Sequence, residues 1–357
     1  MPKPLKLSIL DYSPVDEGLF PEDALAATVR LAQRVEDKGF KRFWVSEHHG
    51  APATASNSPE ILMSRIASAT KTIRVGSGGV LLPNYSSLKI AENYQLLEAL
   101  FPGRIDLGFG RAPGADRRTS KALNDEKNES IPYGRKVADL LGFVTGRHMP
   151  GSTYEGMRAH PETRDKPQPF VLGASGATAE IAAQAGLGFT FAHFINPRGD
   201  GPQAAKAYRA AFSSSEFSEE PTVVVAVFVA VADTEEEAAK FADAFQLWLT
   251  YAESASPFDR VPSLTTTRDH RWTSDELAVR ERNQARLIFG IASRVVSQLR
   301  DLAGAYGCDE VMINLMMPGE AARLKGIDAL SNAMILTESI SARRLGAEEE
   351  KAGGGRP

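Results

Sequence analysis

The residues best suited to acid–base work in this chain are its six histidines, and two of them are neighbours in the segment Glu47-His48-His49. A histidine at a strand end can stay neutral near pH 7 and serve as a base or a hydrogen-bond donor. Adjacent side chains on an extended chain point to opposite sides, so His48 and His49 cannot chelate one ion as an i, i+4 helical pair does. No other spacing follows a metal-ligand pattern, so no metal is expected. The single cysteine, Cys308, allows neither an intrachain disulfide nor a multi-cysteine metal site. The Gly-x-Ser-x-Gly nucleophile elbow of serine hydrolases does not occur. The competing account of Glu47-His48-His49 is a loop-facing histidine pair capped by a carboxylate, and spacing alone favours that account.

Two other segments carry the chemistry of ligand binding. Gly173-Ala174-Ser175-Gly176-Ala177-Thr178 sits where a strand gives way to a helix, and free N–H groups at a helix start, with two hydroxyls, suit a phosphate. Arg111, at the end of another strand, offers a bidentate cation. Plain N-capping by Ser175 or Thr178 accounts for the same residues, and composition leaves the two accounts level. Gly76-Ser77-Gly78-Gly79 interrupts an apolar strand, which suits either a flat ring approaching bare backbone or a bulge. Asp11 and His193 also fall at strand ends. His148 and His160 are expected to be exposed, and His270, beside Arg268, Asp269 and Arg271, to lie in a charged surface loop.

These residues need elements to position them, and the hydrophobic periodicity supplies a strand–helix alternation along the whole chain. Apolar strands are expected at 5–12, 42–48, 73–82, 104–109, 170–173, 189–194, 222–231 and 311–315. Between them, helical spacing recurs, for example Leu25, Val29, Ala32 and Val35 ahead of Gly39. Eight apolar strands alternating with amphipathic helices predict an α/β fold, a (β/α)8 TIM barrel with insertions after strands four (about 114–166) and seven (about 257–282). An open doubly wound sheet is the runner-up. Residues 1–347 are expected to form a single barrel domain. Residues 348–357, acidic and then glycine-rich, are expected to form a disordered polar tail.

The chain has 357 residues, 43% hydrophobic and 24% charged, enough apolar content to bury a large core. With 41 Lys and Arg against 45 Asp and Glu, there is no basic excess to drive binding to nucleic acid. The N-terminus lacks a signal-peptide apolar run, and the apolar stretch at 223–232 is too short to span a bilayer. A cytoplasmic protein with no membrane partner is the expectation.

The ordered set of strand-end segments resembles one family. Leu10-Asp11-Tyr12-Ser13-Pro14, Phe43-Trp44-Val45-Ser46-Glu47-His48-His49, Val75-Gly76-Ser77-Gly78-Gly79-Val80-Leu81-Leu82-Pro83 and Pro102-Gly103-Arg104-Ile105-Asp106-Leu107-Gly108-Phe109-Gly110-Arg111-Ala112-Pro113-Gly114 are similar to bacterial-luciferase-like, flavin-dependent monooxygenases. Leu172-Gly173-Ala174-Ser175 and Cys308-Asp309-Glu310-Val311-Met312-Ile313-Asn314 complete the likeness, which spans about residues 5–345. The resemblance implies a (β/α)8 barrel binding FMN, supplied reduced by a separate NAD(P)H flavin reductase, that uses molecular oxygen to oxygenate a small organic substrate. It implies His48 as the catalytic acid/base. Gly78 and Gly79 match a strand-three position where the family often has a non-proline cis peptide against the flavin ring. Arg111, Ala174, Ser175 and Thr178 match the phosphate-binding positions, which settles the tie left by composition. Relatives commonly form homodimers. Two other functions stay open: hydride transfer on a deazaflavin coenzyme, and flavin binding without turnover. The substrate pocket is expected to draw on Ala55-Ser56-Asn57, the strand-four insertion and His193-Phe194.

Overall fold

The computed structural model describes residues 4–111, 117–124, 131–252, 254 and 256–353. Its strands are β1 (Lys6–Asp11), β2 (Arg42–Val45), β3 (Arg74–Ser77), β4 (Val80–Leu81), β5 (Ile105–Gly110), β6 (Gln168–Gly173), β7 (Gly188–Ala192), β8 (Val223–Ala232), β9 (Leu287–Ile291) and β10 (Glu310–Asn314). Helices α1 (Pro21–Asp37), α2 (Pro59–Ala69), α3 (Ser87–Leu100), α6 (Gly176–Gln184), α7 (Gly201–Ala211), α8 (Glu235–Ala252), α11 (Ala292–Tyr306) and α12 (Glu320–Gly353) alternate with them. The first insertion adds α4 (Arg117–Asn124) and α5 (Tyr133–Thr145), and the second adds α9 (Leu264–Asp269) and α10 (Ser274–Asn283). Of the first insertion, 114–116 and 125–130 lie outside the described residues.

Every ladder is parallel, and the ring closes: β1 pairs with β2 and β10, and β10 pairs with β8. The closed eight-stranded barrel is therefore the expected fold. Closure suits strands buried on both faces, and all ten residues of β8 are buried. Strand three differs from expectation. It breaks at Gly78–Gly79, a cis peptide, and β4 takes over the pairing with β5 at Val80↔Phe109 and Leu81↔Gly110. Strand β9 and helix α11 are also additions. The lower half of β8 pairs with β10 and its upper half, Phe228 to Ala232, with β9 outside the ring. The last helix continues through 348–353, residues that composition assigned to the tail, because Ala, Glu and Lys are good helix formers. Residues 354–357 lie outside the described residues.

Side-chain direction follows the strand period of two. Phe189 and Phe191 pack outward on Tyr208 of α7 and Tyr306 of α11, so Thr190 between them faces inward. At the amino end of the barrel, Arg42 bridges Asp106 (2.7 Å) and Glu310 (2.8 Å), with all three side chains buried. Ser8 and Lys41 also donate to Glu310, Trp44 Nε1 and Arg74 donate to Asp106, and Arg42 lies over the Phe170 ring at 4.7 Å. This charged plug closes the amino end. The same alternation turns Met312 and Asn314, Gly108 and Gly110, Thr190 and Ala192, and Ala226 and Phe228 inward above it.

Candidate functional site at the carboxyl mouth of the barrel

The strand ends converge on a mouth built from aromatic and very small residues. His48 follows β2, where its N–H donates to Ser56 O (3.0 Å) and its Nδ1 meets Ser46 Oγ (3.1 Å). Tyr12, just beyond β1, packs edge-to-face on the His48 ring at 4.5 Å and on Phe228 at 6.3 Å. Burial, with a smaller effect from neighbouring His49, pulls the His48 pKa down to about 4. The imidazole is therefore uncharged through neutral pH, with Nε2 left for a ligand.

His49 turns the other way. Its Nε2 donates to Glu47 Oε1 (2.8 Å), which also accepts from Tyr85 OH (2.6 Å), while Oε2 accepts from the Leu81 amide (2.9 Å). The carboxylate-capped histidine of the competing account is thus His49, and His48 is separate from it.

The cis Gly78–Gly79 peptide lies between β3 and β4. Barrel packing demands Gly79, where a Cβ would meet the backbone oxygen of Gly108 at 2.9 Å, while a Cβ on Gly78 would meet the end of the Leu10 side chain at 2.6 Å, which can shift. Gly110 is different, since among the described residues a Cβ there would meet Leu172 O and Cβ at an ordinary 3.6 and 4.0 Å. The mouth is therefore walled by Gly110, Ala192 and Ala226, beside large side chains on β1 and β2. Into this region comes Asn314, buried at the end of β10, whose Nδ2 has no hydrogen-bond partner. A buried donor without a partner on the inward side of a strand end is open to a ligand.

Arg111 follows β5 and is exposed. Its charge reaches the Tyr133 phenol, whose buried oxygen also lacks a partner. The neighbouring strand β6 leads to α6. Ser175 occupies the N-cap with extended backbone but makes no side-chain capping bond, so simple N-capping does not explain its hydroxyl. Thr178 is buried against Gly173, where a Cβ would strike the Thr178 side chain. Ala174 O accepts from Asn196 Nδ2 at 3.1 Å. Against an anion here stands Asp200, whose carboxylate would lie 3.4 Å from a Cβ on Gly176. On balance the residues fit a flat ring in the hollow, with an anionic end toward Arg111 and the α6 amides.

Several expected positions lie elsewhere. Asp11 is buried and accepts from Thr28 of α1 (2.6 Å) and Ser13, which ties it to the barrel wall. His193 faces Tyr306 OH at 3.0 Å, while Phe194 stacks on Phe228 at the mouth. Ala55, Ser56 and Asn57 line a groove of about 630 Å³ between α1 and α2, on the outside of the barrel. Ser56 still touches the site through its bonds to Ser46 O and the His48 amide. His148 is half-buried against Phe143 rather than exposed, because Met157 O engages its Nε2. His270 does lie in the charged loop between α9 and α10, where it is half-buried against Trp272 and faces Glu276 at 3.2 Å. Asn314 and Tyr12 carried no assigned role in the sequence, although a polar residue ending an apolar barrel strand is itself a signal. Among the described residues, no group of three His, Cys, Asp or Glu could hold a metal ion, and no helix is long and apolar enough to cross a membrane.

A closed parallel barrel gathers the ends of its strands at the carboxyl mouth, where barrel enzymes keep their sites. The chain is a member of the luciferase-like monooxygenase family, whose profile matches residues 6–307. It is 43% identical over 310 residues to the uncharacterized protein YwcH of Bacillus subtilis (strain 168), covering 87% of this chain and 93% of that protein. It is 41% identical over 244 residues to the N-acetyl-S-alkylcysteine monooxygenase of the same organism, covering 66% and 70%. The crystal structure of apo-MsnO8 superposes with a TM-score of 0.85 at 34% identity, covering 93% and 98%. More distant structures share the fold alone. One is the oxygenating constituent of 3,6-diketocamphane monooxygenase in complex with FMN, at 17% identity and TM-score 0.63, covering 92% and 96%. Another is an F420-dependent secondary alcohol dehydrogenase, at 14% and 0.63, covering 93% and 98%. The fold therefore does not choose between flavin and deazaflavin.

Proposed function

We propose that this protein is an FMN-dependent monooxygenase that receives reduced FMN from a separate flavin reductase and oxygenates a small organic substrate with molecular oxygen. The observation that carries this reading is His48, placed just beyond β2 at the carboxyl mouth, packed on Tyr12, held through Nδ1 by Ser46 and kept neutral by burial. When bound, reduced flavin supplies the electrons and the position at which oxygen reacts. The chain's own residues do the rest. Arg111 and the α6 amides with Ser175 hold the phosphate, and the Gly110, Ala192 and Ala226 wall admits the ring. Asn314 Nδ2 offers its unspent N–H to a ring acceptor. His48, anchored through Nδ1 on Ser46, exchanges a proton through Nε2. Tyr12, packed on the His48 ring, shields that proton from water.

The test is to mix the protein with photoreduced FMN, then with oxygenated buffer, and follow absorbance, with F420 binding measured in parallel. Reoxidation slower than that of free reduced FMN, with FMN bound in preference to F420, supports the reading. Reoxidation at the free rate with tight F420 binding overturns it. The relative named for N-acetyl-S-alkylcysteine makes thioethers the first substrates to screen.

A further inference from the structure

The turn after Gly78–Gly79 has little ladder to hold it. Strand β4 is two residues long, and a 3-10 turn, Leu82–Asn84, follows at once. So short a strand does not fix its own position. Two buried side chains of opposite sign grip this turn, one through its donors and one through its carbonyls. Just beyond β2, Glu47 accepts from the Leu81 amide (2.9 Å) and Tyr85 OH (2.6 Å), besides His49 Nε2 (2.8 Å). From α5, Lys136 Nζ donates to the carbonyls of Leu82 (3.3 Å), Pro83 (3.1 Å) and Tyr85 (2.6 Å). Ser87 Oγ, at the start of α3, donates in turn to Lys136 O at 3.0 Å.

Neither charge is neutralised by the other, for each bonds to the turn. Glu47 is 3% and Lys136 2% exposed. Burying an ion is costly unless its bonds are made, so each charge holds its partners in place. Burial draws the Lys136 pKa down to about 8, consistent with an ammonium held by neutral carbonyls alone. The grip also lies beside the chemistry. Glu47 directly precedes His48, and Leu81 lies two residues beyond Gly79, so one carboxylate links the histidine's strand to the glycine's strand.

We propose that Glu47 and Lys136 are positioning residues that clamp the 79–85 turn through its donors and its carbonyls and so fix the mouth edge on which the flavin ring rests. The clamp itself stands on geometry alone, while its purpose toward flavin rests on the function proposed above.

The test uses the full-length protein with Glu47→Gln, Tyr85→Phe, Lys136→Met and Lys136→Arg, measuring hydrogen exchange by mass spectrometry and FMN affinity by fluorescence. Glu47→Gln and Lys136→Met are expected to raise exchange across 79–86 by about tenfold or more, with β8 peptides unchanged. FMN binding should weaken by about tenfold in the same variants, and Lys136→Arg should restore both readouts. Tyr85→Phe should move them the same way by less, and it decides the matter if a charge variant fails to fold. Wild-type exchange at 79–86 in these variants overturns the clamp. Faster exchange with unchanged FMN affinity overturns the positioning role. If the wild-type protein binds no FMN, the flavin reading fails, while the exchange data still judge the clamp.

Discussion

His48 lies just beyond β2 against Tyr12, and its environment sets two expected outcomes. Its pKa is lowered to about 4 by burial, so the unfolded chain, with histidine near 6.5, binds more protons than the folded one between those values. Stability is therefore lost as pH falls from about 6.5 toward about 4, and removing the imidazole should flatten that part of a melting-temperature profile. In turnover, His48→Ala should lower kcat by about 10²–10⁴ while FMN affinity changes little. An equal loss of FMN affinity would recast His48 as a binding residue. Its place beyond a strand was legible because the apolar run stops there, but spacing alone did not separate it from His49. Asn314 was not legible, because its unsatisfied amide is a property of the neighbours around it.

Glycine at the mouth separates what the elements need from what a ligand needs. Gly79 is required by the close approach of Gly108 O, and Gly108 in turn by Ser77 O, so both belong to the packing of β3, β4 and β5. A Cβ on Gly110 would make only ordinary contacts with Leu172 among the described residues. Gly79→Ala should therefore destabilise the fold by about 1–3 kcal/mol, while Gly110→Ala leaves the melting temperature near wild type and weakens FMN binding. The reverse pattern would mean that the hollow has been placed on the wrong strand. The glycine run was legible as an interruption of a strand, but not the split into β3 and β4. Strand β9 was missed because Leu287–Ile291 is a short apolar run with Phe289 exposed, a pattern that alternation does not separate from a loop.

Across the whole molecule, the charged plug at the amino end is the counterpart of the mouth. Burial opposes ionisation of Asp106, but Arg42 and Arg74 outweigh it and lower its pKa, so its stabilisation is present above about pH 4 and lost as pH falls further. Arg42→Met would leave Asp106 and Glu310 buried without their shared partner, and should cost about 3–5 kcal/mol in denaturant unfolding. A loss under about 1 kcal/mol would show that Lys41 and Arg74 suffice. Nothing in one dimension links Arg42, Asp106 and Glu310, which lie on three strands and meet only when the ring closes.

The sequence by itself determined the class of fold, since eight apolar strands alternating with helices leave few ways to cover both faces of a sheet. It also marked the strand ends, where the apolar runs stop, although Asp11 and residues 55–57 proved to belong to the barrel wall and an outer groove. Tertiary structure alone decided which histidine turns inward, because His48 and His49 are adjacent and alike until Ser46 and Glu47 take opposite sides. It decided too that Asn314 lacks a partner and that Lys136 grips a turn some fifty residues away in sequence. Burial and hydrogen-bond satisfaction belong to the whole set of neighbours, and a barrel assembles its neighbours from strands far apart in the chain.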